Sequence, residues 1–186
     1  MTENQTFEKI DFTVDTFNLD EYDTCSFINC NFENQNLANF TFVDCEFTDC
    51  NFSMVKVPNT AFKSVKFDNC KLLGIDFSEC NPFLLDMTFE SCIMNLTSFY
   101  KLKLKNKKFS NCSLHESDFT ETDLSQTIFD NCDLKRAIFN RTILLKTNFS
   151  TASNFSISPE DNRLKGAIFS KTNIAGLLDG YKIKII

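Results

Sequence analysis

A large apolar residue recurs at every fifth position of this chain, and no other feature constrains its fold as strongly. The beat runs Phe7, Phe12, Phe17, Tyr22, Phe27, Phe32, Leu37, Phe42, Phe47, Phe52, Val57, Phe62, Phe67, Leu72 and Phe77. A period of five is neither the 3.6 of a helix nor the 2 of a strand, so it belongs to a repeated unit. After a two-residue slip, read near Asn81 and Pro82, it resumes at Leu84 and continues Phe89, Met94, Phe99, Leu104, Phe109, Leu114, Phe119, Leu124, Phe129, Leu134, Phe139, Leu144 and Phe149.

Taken four units at a time, the beat becomes a coil of twenty residues. Phe7, Phe27, Phe47, Phe67, Phe89, Phe109, Phe129 and Phe149 then share one column, all phenylalanine. Leu84 falls in the column that begins Tyr22, Phe42, Phe62 and continues Leu104, Leu124, Leu144. The cysteines check this register independently. All nine stand two residues before a central position, and Cys30, Cys50, Cys70, Cys92, Cys112 and Cys132 form one column. Identical rings at a repeat of about 4.8 Å can stack through the centre of a solenoid, with small residues filling the corner beside them.

Units such as Cys30-Asn31-Phe32, Cys50-Asn51-Phe52, Ser117-Asp118-Phe119, Thr122-Asp123-Leu124 and Thr147-Asn148-Phe149 resemble the pentapeptide-repeat family over roughly residues 5 to 150. The resemblance implies an all-β chain folded as a right-handed quadrilateral β-helix, one pentad to a face. On this reading the β-helix occupies residues 1–170, irregular over 150–163, and residues 171–186 form a C-terminal cap and dimerisation segment.

The same pattern argues against several function classes. The cysteine spacing follows the core, no CxxC occurs and the lone His115 points outward, so reduced core thiols are expected and no metal. Four glycines, none in a phosphate-binding arrangement, give no cofactor site, and no nucleophile motif suggests an enzyme. The Asn and Asp before each central residue are expected to bond the backbone at the corners. No segment resembles a signal peptide or a membrane span, so a cytoplasmic protein with no small-molecule substrate is expected.

After Phe149 the expected central sites fall on Asn154 and Pro159 before Leu164 and Phe169 recover the phase. Lys171 to Tyr181 reads as a short helix with Ile174, Leu177, Leu178 and Tyr181 on one stripe, and Ile183 and Ile185 alternate like a strand end. These residues serve as a cap, or as a cap that also carries a homodimer contact. Gly166 to Phe169 followed by Leu177-Leu178 and Ile183-Lys184-Ile185 is similar to the C-terminal end of the Qnr-type quinolone-resistance proteins. That resemblance implies dimerisation here and binding to DNA gyrase or topoisomerase IV by mimicry of DNA, without direct binding of nucleic acid. The long loops that protective Qnr proteins throw out are missing from this chain.

Charge bears on the same idea. Residues 1 to 50 hold eleven acids against Lys9, whereas the remainder holds 14 acids and 18 bases. Lys101, Lys103, Lys105, Lys107 and Lys108 make a basic band. A dimer of about 70 Å would carry −12, against about 40 charges on the same length of duplex. Mimicry is therefore expected from the acidic first coils only, through Glu8, Asp11, Asp23 and Glu33. The alternative is a repeat scaffold with another partner.

Overall fold

The computed structural model describes residues 1–18 and 21–184 as a parallel β-solenoid. Each coil advances twenty residues, so Phe7 pairs with Phe27, Phe27 with Phe47 and Phe109 with Phe129. One step is of 22, from Phe67 to Phe89. We number the four faces by the columns beginning at Phe7, Phe12, Phe17 and Tyr22. Face 1 carries seven parallel strands, from Thr6–Glu8 to Ile128–Asp130. Face 4 carries four, Thr2–Glu3, Glu21–Asp23, Thr41–Val43 and Ala61–Lys63. Faces 2 and 3 are ladders of single bridges, such as Asn31 to Asn51 to Lys71 and Ser98 to Asp118 to Ile138.

The corners explain why a five-residue unit closes a square. At most corners the residue two after the central position takes a left-handed backbone, as at Asn29 (φ 53°), Asn34 (φ 59°) and Glu121 (φ 56°). Asn and Asp hold many of these positions because their short polar side chains tolerate this region, which costs other residues roughly 1–2 kcal/mol. Met54 and Leu96 bear that cost. On the faces without strands, Asn or Asp before the central residue accepts the N–H of the residue after it. Asn31 takes Glu33 N–H at 3.2 Å, Asn51 takes Ser53 at 3.1 Å and Asp118 takes Thr120 at 2.8 Å. On the strand pentads of face 1 that place holds other side chains instead, Ser26, Glu46, Lys66 and Thr88 among them, and the chain stays extended.

Inside, the face 1 rings form one continuous stack. Neighbouring centroids lie 4.7 Å apart at Phe27–Phe47, 5.5 Å at Phe67–Phe89 and 5.1 Å at Phe109–Phe129, and Phe169 extends the stack beyond Phe149 at 5.3 Å. The stack stays nearly parallel across the insertion, where the ring planes differ by 11°. The small residue two before each centre does more than fill space. Cys50 Sγ donates to Phe27 O and Cys70 Sγ to Phe47 O, both at 3.3 Å, while Thr122 Oγ1 donates to Phe99 O at 2.7 Å and Thr142 Oγ1 to Phe119 O at 2.9 Å. Each thiol or hydroxyl thus reaches the carbonyl 23 residues earlier and ties one coil to the next.

Three local expectations are corrected. Leu84 does not join the Tyr22 column: it is 64% exposed with φ 57°, and Phe83 is 69% exposed. The original phase persists through Asn81, whose N–H bonds Thr60 O and whose amide bonds Asn59, so the extra residues enter after it. The chain rejoins where Asp86 N–H bonds Phe62 O, and Leu85 is the bulge residue that packs on the core. The terminal helix is two 3₁₀ turns, Ile174–Leu177 and Asp179–Tyr181, and a further 3₁₀ turn, Phe77–Glu79, lies within the coils. Over 150–163 the coil persists, but Phe155 and Ile157 turn inward where Asn154 and Pro159 stood in the beat.

Candidate interaction surface

A smooth-walled solenoid offers its outer side chains and its two ends, so each proposed contact residue is located on those. Glu8 lies on face 1, Asp23 on face 4, and Asp11 and Glu33 on face 2. The structure therefore spreads the four over three successive faces rather than gathering them. Three are held by neutral donors. Asp11 accepts from Thr13 Oγ1 at 2.7 Å and Asn31 Nδ2 at 3.0 Å, Asp23 from Thr24 Oγ1 at 2.7 Å, and Glu33 from Asn51 Nδ2 at 3.2 Å. The bond from the Thr13 hydroxyl keeps the Asp11 pKa below its ordinary value. Amides and hydroxyls fix these carboxylates without cancelling their charge. Glu8 differs, with Lys9 at 3.0 Å.

The basic band has a different character. Lys105 pairs with Asp123 at 3.1 Å, Lys108 with Asp130 at 2.9 Å, Lys101 with Glu121 at 3.7 Å, and Lys107 with Asp86. Glu121 also takes Arg141 at 2.7 Å, making a Lys-Glu-Arg ladder up one corner. Burial pushes the Asp123 pKa up, yet bonds from Ser125 and Lys105 outweigh it and leave the net shift downward. The sequence pattern did not single out these ion pairs between coils, although opposite charges 18 to 22 residues apart were there to be found.

The cysteines lie inside. All nine are buried free thiols, and Cys30, Cys50, Cys70, Cys92, Cys112 and Cys132 line up along face 2. Burial raises the Cys45 thiol to about 11 and Cys80 further still. Hydrogen bonding to neighbouring thiols, then burial, likewise raises Cys70. His115 Nε2 sits 2.8 Å from Asp133 Oδ2 on the outside of face 2. Among the described residues no group of three or more His, Cys, Asp or Glu side chains could hold a metal ion, and no helix is long and apolar enough to cross a membrane.

At the C-terminal end, Leu177 packs against the core while Ile174, Leu178, Tyr181 and Ile183 are exposed. Ile185 lies outside the described residues. Tyr181 OH donates to Glu160 at 2.8 Å. The closure itself comes from residues the hydrophobic pattern did not single out. Asn173 Nδ2 donates to Phe149 O at 2.8 Å and Ala152 O at 2.9 Å, and Gly176 O accepts from Ile157 N–H at 3.0 Å. A Cβ on Gly176 would lie 2.2 Å from Phe155 O, so only glycine lets the cap sit this close.

Sequence models of this kind of repeat match the chain: a pentapeptide repeat region over residues 21–82, and pentapeptide repeats over 92–131 and 117–153. No curated protein matches it. Among solved structures, two trypsin-treated forms of QnrB1, a plasmid-mediated fluoroquinolone resistance protein, share 15% and 16% identity over 100% of this chain and 99% of theirs, with TM-scores of 0.44 and 0.43. HetL from the cyanobacterium Nostoc, a pentapeptide repeat protein involved in heterocyst differentiation regulation, shares 12% identity over 90% of this chain and 86% of its own, with a TM-score of 0.43.

Proposed function

We propose, since this chain belongs to the pentapeptide-repeat family, that it is a non-catalytic binding protein whose acidic first coils engage the DNA-binding surface of bacterial DNA gyrase or topoisomerase IV. The observation that carries this reading is the contrast in how charge is handled along the rod. In the first coils Asp11, Asp23 and Glu33 are held by neutral amides and hydroxyls, with lysine pairs at Glu8 through Lys9 and at Glu46 and Asp68 through Lys66, whereas in the later coils Lys101, Lys105, Lys107 and Lys108 each neutralise an acid. A surface that binds duplex DNA is cationic, and a rigid array of uncompensated carboxylates is what it would accept in place of phosphates. Adjoining faces 4 and 1 bring Asp23, Asp44, Glu46 and Glu8 to one side of the rod, where Lys66 offsets Glu46 and Lys9 offsets Glu8, with Asp11 and Glu33 on the next face.

The protein acts as a homodimer on this reading. Exposed Ile174, Leu178, Tyr181 and Ile183 give the cap an apolar surface beyond what closing one coil requires. Joining two rods there puts the acidic arms at the distal ends. With the bulge after Asn81 as the one interruption of the beat before residue 150, inhibition of supercoiling is the expected effect, more than rescue from quinolones. Purified protein at micromolar concentration and low salt should inhibit gyrase supercoiling, with inhibition falling steeply as salt rises. No effect under those conditions would leave a repeat scaffold with another partner.

A further inference from the structure

The two ends of the rod are finished differently, and the N-terminal end has the makings of a strand-accepting site. Thr6–Glu8 is the outermost strand of the seven-stranded sheet. Its register partners are Ser26 and Ile28, and these turn toward the preceding coil: Ser26 N–H bonds Gln5 O and Ile28 O accepts Lys9 N–H, both at 2.9 Å. The corresponding N–H of Thr6 and C=O of Glu8 therefore point off the end of the rod, where among the described residues no coil stands. A short extended segment could pair there.

Two further features stand beside this edge. A cleft of about 370 Å³ opens at the same end, lined by the rings of Phe7, Phe12, Phe17 and Tyr22. Phe7 and Phe17 are only half buried, unlike the rings deeper in the stack. Around the edge stand the acidic residues Glu3, Glu8, Asp11 and Asp15, with Lys9 paired to Glu8 at 3.0 Å. A second copy of this chain would bring the same negative rim and be repelled, so head-to-head stacking is disfavoured.

We infer that the N-terminal end of the solenoid binds a basic, extended peptide segment of a partner protein, which adds a strand beside Thr6–Glu8 and seats one aromatic or aliphatic side chain among Phe7, Phe12 and Phe17. Backbone pairing supplies the register, the cleft selects an apolar residue, and the acidic rim selects lysine or arginine at alternate outward positions. This site is at the end of the rod and shares only Glu8 and Asp11 with the lateral surface proposed for the topoisomerase, whose Asp23, Glu33, Asp44 and Glu46 lie in later coils.

The test uses the full chain and a labelled heptapeptide alternating lysine and valine around one central phenylalanine, followed by fluorescence anisotropy at low salt. Binding is expected, with about tenfold weaker affinity for a peptide of the same charge carrying a central proline. Thr6→Pro removes the outward N–H without breaking a bond to the next coil and should weaken binding similarly, with circular dichroism confirming an unchanged fold. Reversing Asp44 and Glu46 together should leave peptide binding within about twofold while impairing gyrase inhibition, which separates this site from the lateral one. Equal affinity for the proline-containing peptide would reduce the effect to charge alone and overturn the inference. Absence of binding at roughly 100-fold excess peptide would also overturn it and make the acidic rim a guard against edge-to-edge association.

Discussion

The coils before the bulge at residues 82–85 and those after it share one interior but differ in how far their exteriors pair their charges. In both, a small polar side chain reaches the carbonyl 23 residues earlier: Cys45 and Cys50 in the first half, Thr122, Thr142 and Thr147 in the second. In both, the face 1 rings stack at about 5 Å, as at Phe27–Phe47 and Phe109–Phe129. Outside, the first half steadies Asp11, Asp23 and Glu33 with neutral donors and cross-links coils through Lys66–Glu46, while the second cross-links them more heavily, through Glu116–Arg136, Glu121–Arg141 and Asp123–Lys105. A repeat solenoid thus separates its two tasks: the inward column fixes the fold, leaving the outward positions free to differ in charge along one rod.

The shared interior is tested most severely by removing a ring. Phe109→Ala deletes one member of the stack between Phe89 and Phe129 and should cost about 3–5 kcal/mol in urea unfolding. A loss below about 1 kcal/mol would mean that the rings are not jointly packed.

The next effect concerns the corner donors. Thr122→Ala should cost about 0.5–1.5 kcal/mol, since it removes one of the two bonds to Phe99 O and leaves Leu102 N–H as its remaining donor. Cys70→Ser should be better tolerated than Cys70→Ala if donation to Phe47 O is what this position provides. The reverse order would make volume alone its requirement. In the native protein few thiols should react with Ellman's reagent, and close to all nine after denaturation; rapid native labelling of Cys70 or Cys92 would contradict the inward column.

A smaller effect distinguishes the exteriors by pH. Asp123 and Asp130 have pKa values lowered in the folded protein, Asp130 chiefly by its bond from Lys108. Their contribution is therefore fully present above the unfolded value of about 3.9 and is lost as pH falls through the lower folded values. Asp123→Asn and Asp130→Asn should flatten the decline of stability in that acidic window and change little at about pH 7 beyond the modest worth of an exposed pair. The smallest effect is at Leu96, which holds a left-handed corner at φ 61°: Leu96→Asn should raise stability by about 0.5–1 kcal/mol.

Much of this was legible because a period of five with an all-Phe column leaves few ways to fold, and the column from Phe7 to Phe149 needed no correction. Leu84 misled because hydrophobicity alone placed it in the beat, whereas Asn81 carries the ladder contact that fixes the phase. Asn154 and Pro159 marked the irregular coil, but the inward turn of Phe155 depends on the Asn173 and Gly176 contacts that cover it, which are tertiary. The acidic surface was readable only as a count by residue number. Its distribution over faces 1, 2 and 4 required the register of the coils, and the pairing of the lysine band required their side-chain geometry.

The central claim is that the first-half exterior, not the whole rod, binds the topoisomerase. It is tested most directly by measuring gyrase affinity for two charge-reversed proteins: one with Asp23→Lys, Asp44→Lys and Glu46→Lys, the other with Glu116→Lys and Glu121→Lys. The account predicts that the first loses about tenfold or more in affinity and most of its salt dependence, while the second stays within about threefold of the parent. Equal losses in both, or none in the first, would contradict it.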